Sequence, residues 1–227
     1  MGPPNSATEG DEPAFDEKQV SVIFIGSFNP RILQPSWFDA RGLLTERDVE
    51  AAGLLVSDAV TAFRTPLFTL LCDQNRCQIT TASKTPTPDL IRDLAVDMFE
   101  ILGETPINGI GINAYAHVPP RVKTWDAVVA QLGDPHKTLE LMEGQGLRTV
   151  ELTGLRPGDG LSGSRQVLMQ PSNFITDGVF ILVNDDVRLG SPEDQGNGRM
   201  AVEILRTEWK PSRDFAETTI EHIAPTR

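Results

Sequence analysis

The chain has 227 residues, 39% hydrophobic and 23% charged, with 32 acidic side chains against 20 basic ones and a formal charge of −12. This length can bury a sizeable core in one domain. No apolar run approaches the roughly 18 residues of a membrane span, and the acidic excess opposes binding to nucleic acid or anionic lipid. A protein partner or self-association is the better electrostatic match, and the expectation is no nucleic acid and no membrane.

Residues 1–18 are rich in Pro, Gly, Asp and Glu and lack the basic and apolar segments of a secretory signal. They are expected to be a disordered acidic tail, with residues 19–227 forming a single domain. Only two cysteines occur, Cys72 and Cys77, which together with the lack of an export signal fits a reducing, cytoplasmic compartment.

In chain order, residues 20–27 have the β-branched and aromatic content of a buried strand stopped by Gly26. Phe28-Asn29-Pro30 turns the chain. Residues 35–38 open a short helix or loop, and Thr45 is placed to cap a second short helix ending near Ala52. Residues 59–82 read as one hairpin, with arms at 60–71 and 77–81 around the polar turn 73–76, and Pro66 assigns the first arm to a bulge or sheet edge. The clearest helix covers 88–102, with Thr87 placed to cap it, Gly103 suited to end it, and Leu90, Ile91, Leu94, Met98 and Ile101 on one face.

Residues 107–118 have strand character, with Gly109 and Gly111 marking a close approach by another backbone. A helix at 125–132 capped by Thr124 and a short helix at 136–142 follow. Residues 147–155, 166–170 and 178–187 read as strands, with a glycine-rich exposed loop at 157–163. The last segment, 197–223, has helical spacing with Pro211 to kink or split it. Runs of strands punctuated by helices predict an α+β fold: a mainly antiparallel sheet with helices packed on one face and a helical C-terminus.

The chemical motifs are weak. Gly109-Ile110-Gly111-Ile112-Asn113-Ala114 has the spelling of a dinucleotide fingerprint but continues as strand, and Gly196 to Ala201 opens a helix without a preceding strand. Gly160-Leu161-Ser162-Gly163-Ser164 departs from a nucleophile elbow because Ser164 replaces the final glycine. Cys72 and Cys77 flank a turn and read as buried structural thiols. The three histidines, His117, His136 and His222, are isolated, and only Asn184-Asp185-Asp186 clusters oxygen ligands, with Asp185 and Asp186 on opposite sides of a regular strand. No cofactor, metal site or catalytic residue is assigned. Aromatic residues with Arg are favoured at interface centres, so Phe28, Arg31, Trp37 and Phe38 form the candidate contact set.

The stretch Ile23-Phe24-Ile25-Gly26-Ser27-Phe28-Asn29-Pro30 with Gln34-Pro35-Ser36-Trp37-Phe38 resembles the opening of a bacterial protein family to which no activity is attached. Gly109 to Asn113, Phe180 to Asp185 and the terminal helix around Trp209 extend the likeness past residue 20. The resemblance implies a bacterial, cytosolic origin and one α+β domain, and carries no catalytic residues.

These features favour a non-enzymatic binding or assembly protein, a subunit of a bacterial complex or a homodimer. An alternative is a hydrolase or metal-dependent nucleotide-processing enzyme using Asp185 or Asp186 with His117. A second is an adaptor or immunity-type protein of a bacterial defence or toxin-neutralising pair, where an acidic surface meets a basic partner.

Overall fold

Alternation of apolar and polar side chains marks many of the segments that form strands in this chain. The structure, a computed structural model, describes residues 17–50, 53–82, 87–132, 146–157, 160–190 and 197–225. Among them, nine strands form one sheet: β1 Glu17–Gly26, β2 Gly53–Val56, β3 Val60–Arg64, β4 Phe68–Asp73, β5 Arg76–Thr81, β6 Ile107–Val118, β7 Val150–Leu155, β8 Gly163–Pro171 and β9 Val179–Arg188. The strand order is β2-β3-β4-β5-β1-β6-β9-β8-β7, and every pairing is antiparallel. The helices are α1 Pro35–Ala40, α2 Glu46–Glu50, α3 Asp89–Ile101, α4 Trp125–Leu132 and α5 Gly198–Ile223. The antiparallel sheet and helical C-terminus match expectation. Strands dominate, however, and the five helices do not gather into one clear layer on one face.

Four hairpin turns share a device. Ser57, Thr65, Asp73 and Ser172 each accept hydrogen bonds through a side-chain oxygen from the backbone N–H groups two and three residues on. Such local bonds offer the backbone an alternative to the ladder and so end a strand. Thr65 corrects the sequence reading: Pro66 lies in a turn that divides residues 60–71 into β3 and β4, so the single expected hairpin is a three-stranded meander. β2 is a strand that the pattern did not suggest. The helix expected at 136–142 and the tail through residue 16 lie outside the described residues, and β1 begins at Glu17, before the expected domain boundary.

The face carrying Val20, Val22 and Phe24 of β1 packs against α3 and α5, through Leu94, Met98 and Phe99 on one helix and Ala201, Leu205 and Trp209 on the other. Phe24 and Phe99 meet edge-on with centroids 4.6 Å apart. A second cluster joins Ala116, Val118, Ile181 and Val183 to Val128 of α4 and Ala216 and Ile220 of α5. Because α5 is anchored in both clusters, it runs as one helix through Pro211, where the sequence left a split open. Asn197 caps it by accepting from the Met200 N–H at 3.1 Å, and the Trp209 indole N–H donates to Asp89 Oδ1 of α3 at 2.7 Å.

Register turns single residues into rows across the sheet. On the helix-facing side one row reads Phe63, Leu70, Ile79, Val22, Ile112, Asp185, Arg165, apolar until its last two positions. One residue along, on the opposite face, seven adjacent strands present Thr69, Thr80, Ser21, Asn113, Asn184, Gln166 and Thr153. All seven are polar and uncharged.

Candidate functional site

The segment after β1 is tied to the first meander. The buried Thr61 hydroxyl donates to the Pro30 carbonyl at 2.7 Å, and the Phe28 N–H donates to the Gln74 carbonyl at 2.9 Å. These anchors turn the aromatic side chains of the segment inward. Phe38 is fully buried, edge-on to Phe63 at 5.6 Å and to Trp37 at 5.1 Å, and Phe28 is buried as well. Trp37 is half-buried, whereas Arg31 is exposed and ion-paired with Asp58 in the β2–β3 turn. Of the four residues expected to form a contact surface, two therefore fill the core, and Arg31 leads to the adjoining edge of the sheet.

That edge is β2. Among the described residues no strand pairs with its outer side, and all four of its residues are exposed, Leu54 at 53% and Leu55 at 64%. Leu55 lies in register with Ala62, and Ala62 with the exposed Leu71, so the apolar strip runs inward on one face while Leu54 stands on the other. Natural edge strands are usually protected by charge, proline or a bulge. Residues 53–57 contain neither charge nor proline. The Leu54-Leu55-Val56 run before the Ser57-Asp58 turn was the available signal for this strand. The opposite edge, β7, exposes Leu152 and Leu155 but intersperses Glu151 and Thr153.

The residues considered for catalysis do not converge. Asp185 faces α5, 1% exposed; it accepts from Arg156, from Ser212 Oγ at 2.8 Å and from Arg165 Nε at 3.2 Å. Arg156 also reaches Glu208 at 2.7 Å, and the Arg165 guanidinium lies 4.2 Å from the Phe215 ring centre. Two guanidinium groups against two carboxylates make this buried group electrically balanced. Asp186 lies on the other face, where burial pushes its carboxyl above the usual range and Arg188 partly offsets the effect. His117 shares that face but pairs in register with Phe180, six positions from Asp186 along β9, a separation of roughly 20 Å at strand rise. The His117 ring contacts Ser172 Oγ at 2.8 Å and lies 5.4 Å from the Phe174 ring.

Cys72 and Cys77 stand directly opposite each other in the β4–β5 ladder, both fully buried. The hydrogen bond between them, and then burial, push the Cys77 thiol well above its ordinary value. The described residues contain no group of three or more His, Cys, Asp or Glu side chains placed to hold a metal, and no helix long and apolar enough to cross a membrane.

No family model matches the chain, and no curated protein matches it.

Proposed function

We propose that this chain is a binding or assembly protein that acts through protein–protein contacts, with edge strand β2 and the adjoining Arg31 corner as the contact and a second copy of the chain as the simplest partner. The observation that carries the reading is β2 itself: a terminal strand with apolar side chains on both faces and no protecting charge. Two chains of charge −12 repel. A contact between them belongs at an uncharged segment, and β2 is one.

Sedimentation equilibrium on the wild type and on Leu55→Lys tests the proposal. A concentration-dependent dimer whose affinity falls at least about tenfold in the variant is the expected result. A wild type that stays monomeric across the concentration range, or a dimer indifferent to the lysine, overturns it.

A further inference from the structure

The ladder on the inner side of β2 fixes which of its backbone groups stay open. The Ser57 N–H donates to the Val60 carbonyl at 2.8 Å, so this pair is a hydrogen-bonded one, and bonded and non-bonded pairs alternate from there. Along the register Val56↔Thr61, Leu55↔Ala62, Leu54↔Phe63 and Gly53↔Arg64, the bonds to β3 are therefore those of Leu55 and Gly53. Leu54 and Val56 turn their N–H and C=O groups to the open edge. The next ladder agrees: the Thr65 N–H donates to the Phe68 carbonyl at 2.8 Å, which assigns Thr61 and Phe63 to β4 and leaves Ala62 and Arg64 for β2.

We infer that two copies of the chain join through β2 in one antiparallel register, with Leu55 opposite the partner's Leu55 on the two-fold axis and Leu54 opposite the partner's Val56. The inference deepens the self-association proposed above and rests on it. About Leu55 the strand is its own complement. Leu54 and Val56 each exchange two hydrogen bonds across the axis in this register, giving four between the chains. A shift of one residue sets the open groups of Leu54 against Leu55, whose own groups are spent on β3. Centring on Leu54 keeps only the two bonds of that residue within β2.

The same register joins the side chains. Leu71, Ala62 and Leu55 stand in one row, and the axis continues it through the partner's Leu55, Ala62 and Leu71, an apolar strip without a charge. On the other face Leu54 meets Val56, both exposed in the single chain. At each end Gly53 falls opposite the partner's Ser57. Exposed Arg64, one strand in from Gly53, then stands about 10 Å, backbone to backbone, from the partner's Asp58, a span its long side chain can bridge. Asp58 already pairs with Arg31 of its own chain, and its second carboxylate oxygen is available to Arg64. Opposite charges thus flank an uncharged centre, which offsets the repulsion between two chains of charge −12. Joining β2 to β7 of another copy is instead head-to-tail, would repeat into filaments, and meets Glu151.

Single cysteines in the full chain test the register. Leu55 and the partner's Leu55 form a non-bonded pair with Cα atoms about 4.5 Å apart, inside the range of a disulfide. Leu54 and the partner's Leu54 are offset by two positions, about 8 Å, outside it. Under oxidised glutathione, Leu55→Cys is expected to form a covalent dimer at least tenfold faster than Leu54→Cys, with the 55–55 link identified by peptide mass because Cys72 and Cys77 are buried. The double variant Leu54→Cys/Val56→Cys is expected to cross-link 54 to 56 between chains. Faster linkage of Leu54→Cys, equal rates for the two single variants, or assemblies that grow beyond the dimer overturn the register. A wild type that dimerises and loses affinity in Leu55→Lys while the cysteines show one of those patterns removes the register alone; a monomeric wild type removes both readings.

Discussion

Arg156 donates to Asp185 where each side chain is 1% exposed, between β9 and α5. Desolvating two charges is expensive, and their attraction offsets that cost only when both partners are present. Removing one is therefore the severe change. Asp185→Ala is expected to lose about 3–5 kcal/mol by urea denaturation, because Arg156 and Arg165 then keep buried charge without this carboxylate. The double variant Arg156→Met/Asp185→Leu is expected to recover part of the loss. The groups it leaves, Arg165 and Glu208, are 17% and 15% exposed and can reach water. A double variant no better than the single one would show that packing, not uncompensated charge, dominates.

The neighbouring carboxylate predicts a pH signature of opposite kind. Asp186 has its pKa raised by burial, so the folded state binds this proton more tightly than the unfolded chain does. Its favourable contribution is present below the ordinary value of 3.8 and is lost as pH rises through the folded value. Asp186→Asn, which cannot ionise, is therefore expected to be more stable than the wild type at pH 7 and equal to it near pH 3. Melting temperatures at the two pH values check this, and a gap that widens on acidification contradicts it.

How legible this molecule is in sequence depends on where the signal lies. The bounds of β6 and α4, the Asn197 start of α5 and the Ile91, Leu94 and Met98 positions of the α3 face follow from local rules of period and capping, whereas Ile101, expected on that face, is 43% exposed and Phe99 packs there against Phe24. The division at Thr65 is not legible from Pro66 alone, because the turn is made by the Thr65 hydroxyl, which accepts from the Leu67 and Phe68 N–H groups. β2 is too short for period-two alternation to show. The Asp185 group could not be read, since Arg156 and Glu208 are brought to it from segments 29 residues before and 23 residues after. The polar row was invisible for the same reason: one residue comes from each strand, and only register aligns them.

The opposed thiols allow a chemical prediction. Cys72 and Cys77 are fully buried, and the Cys77 thiol is held protonated well above the ordinary 9.0, first by its hydrogen bond with Cys72 and then by burial. A thiol reagent needs both access and thiolate. Both cysteines are expected to react with an aromatic disulfide reagent only as fast as the protein opens, so urea should accelerate labelling steeply. Stability is expected to fall as pH rises past 9.0, where the unfolded thiol ionises and the folded one does not. Rapid labelling of the native protein at neutral pH would mean that the β4–β5 ladder opens at little cost.

Gly198 shows why the start of α5 tolerates no side chain. A Cβ there would sit 2.6 Å from the Leu102 carbonyl and 3.2 Å from Gly103 Cα, both backbone atoms at the end of α3. Alanine normally stabilises a helix by about 0.5–1 kcal/mol over glycine. Here the clash must move one helix against the other, and overpacking of this kind costs about 1–3 kcal/mol. Gly198→Ala is therefore expected to be destabilising by denaturant titration, against its helix propensity. Gly154→Ala in β7 is the control: nothing lies within 4 Å of its would-be Cβ, and a glycine within a strand weakens it. That variant is expected to be neutral or mildly stabilising. If both alanines behave alike, the close approach of α5 to α3 is not what selects Gly198.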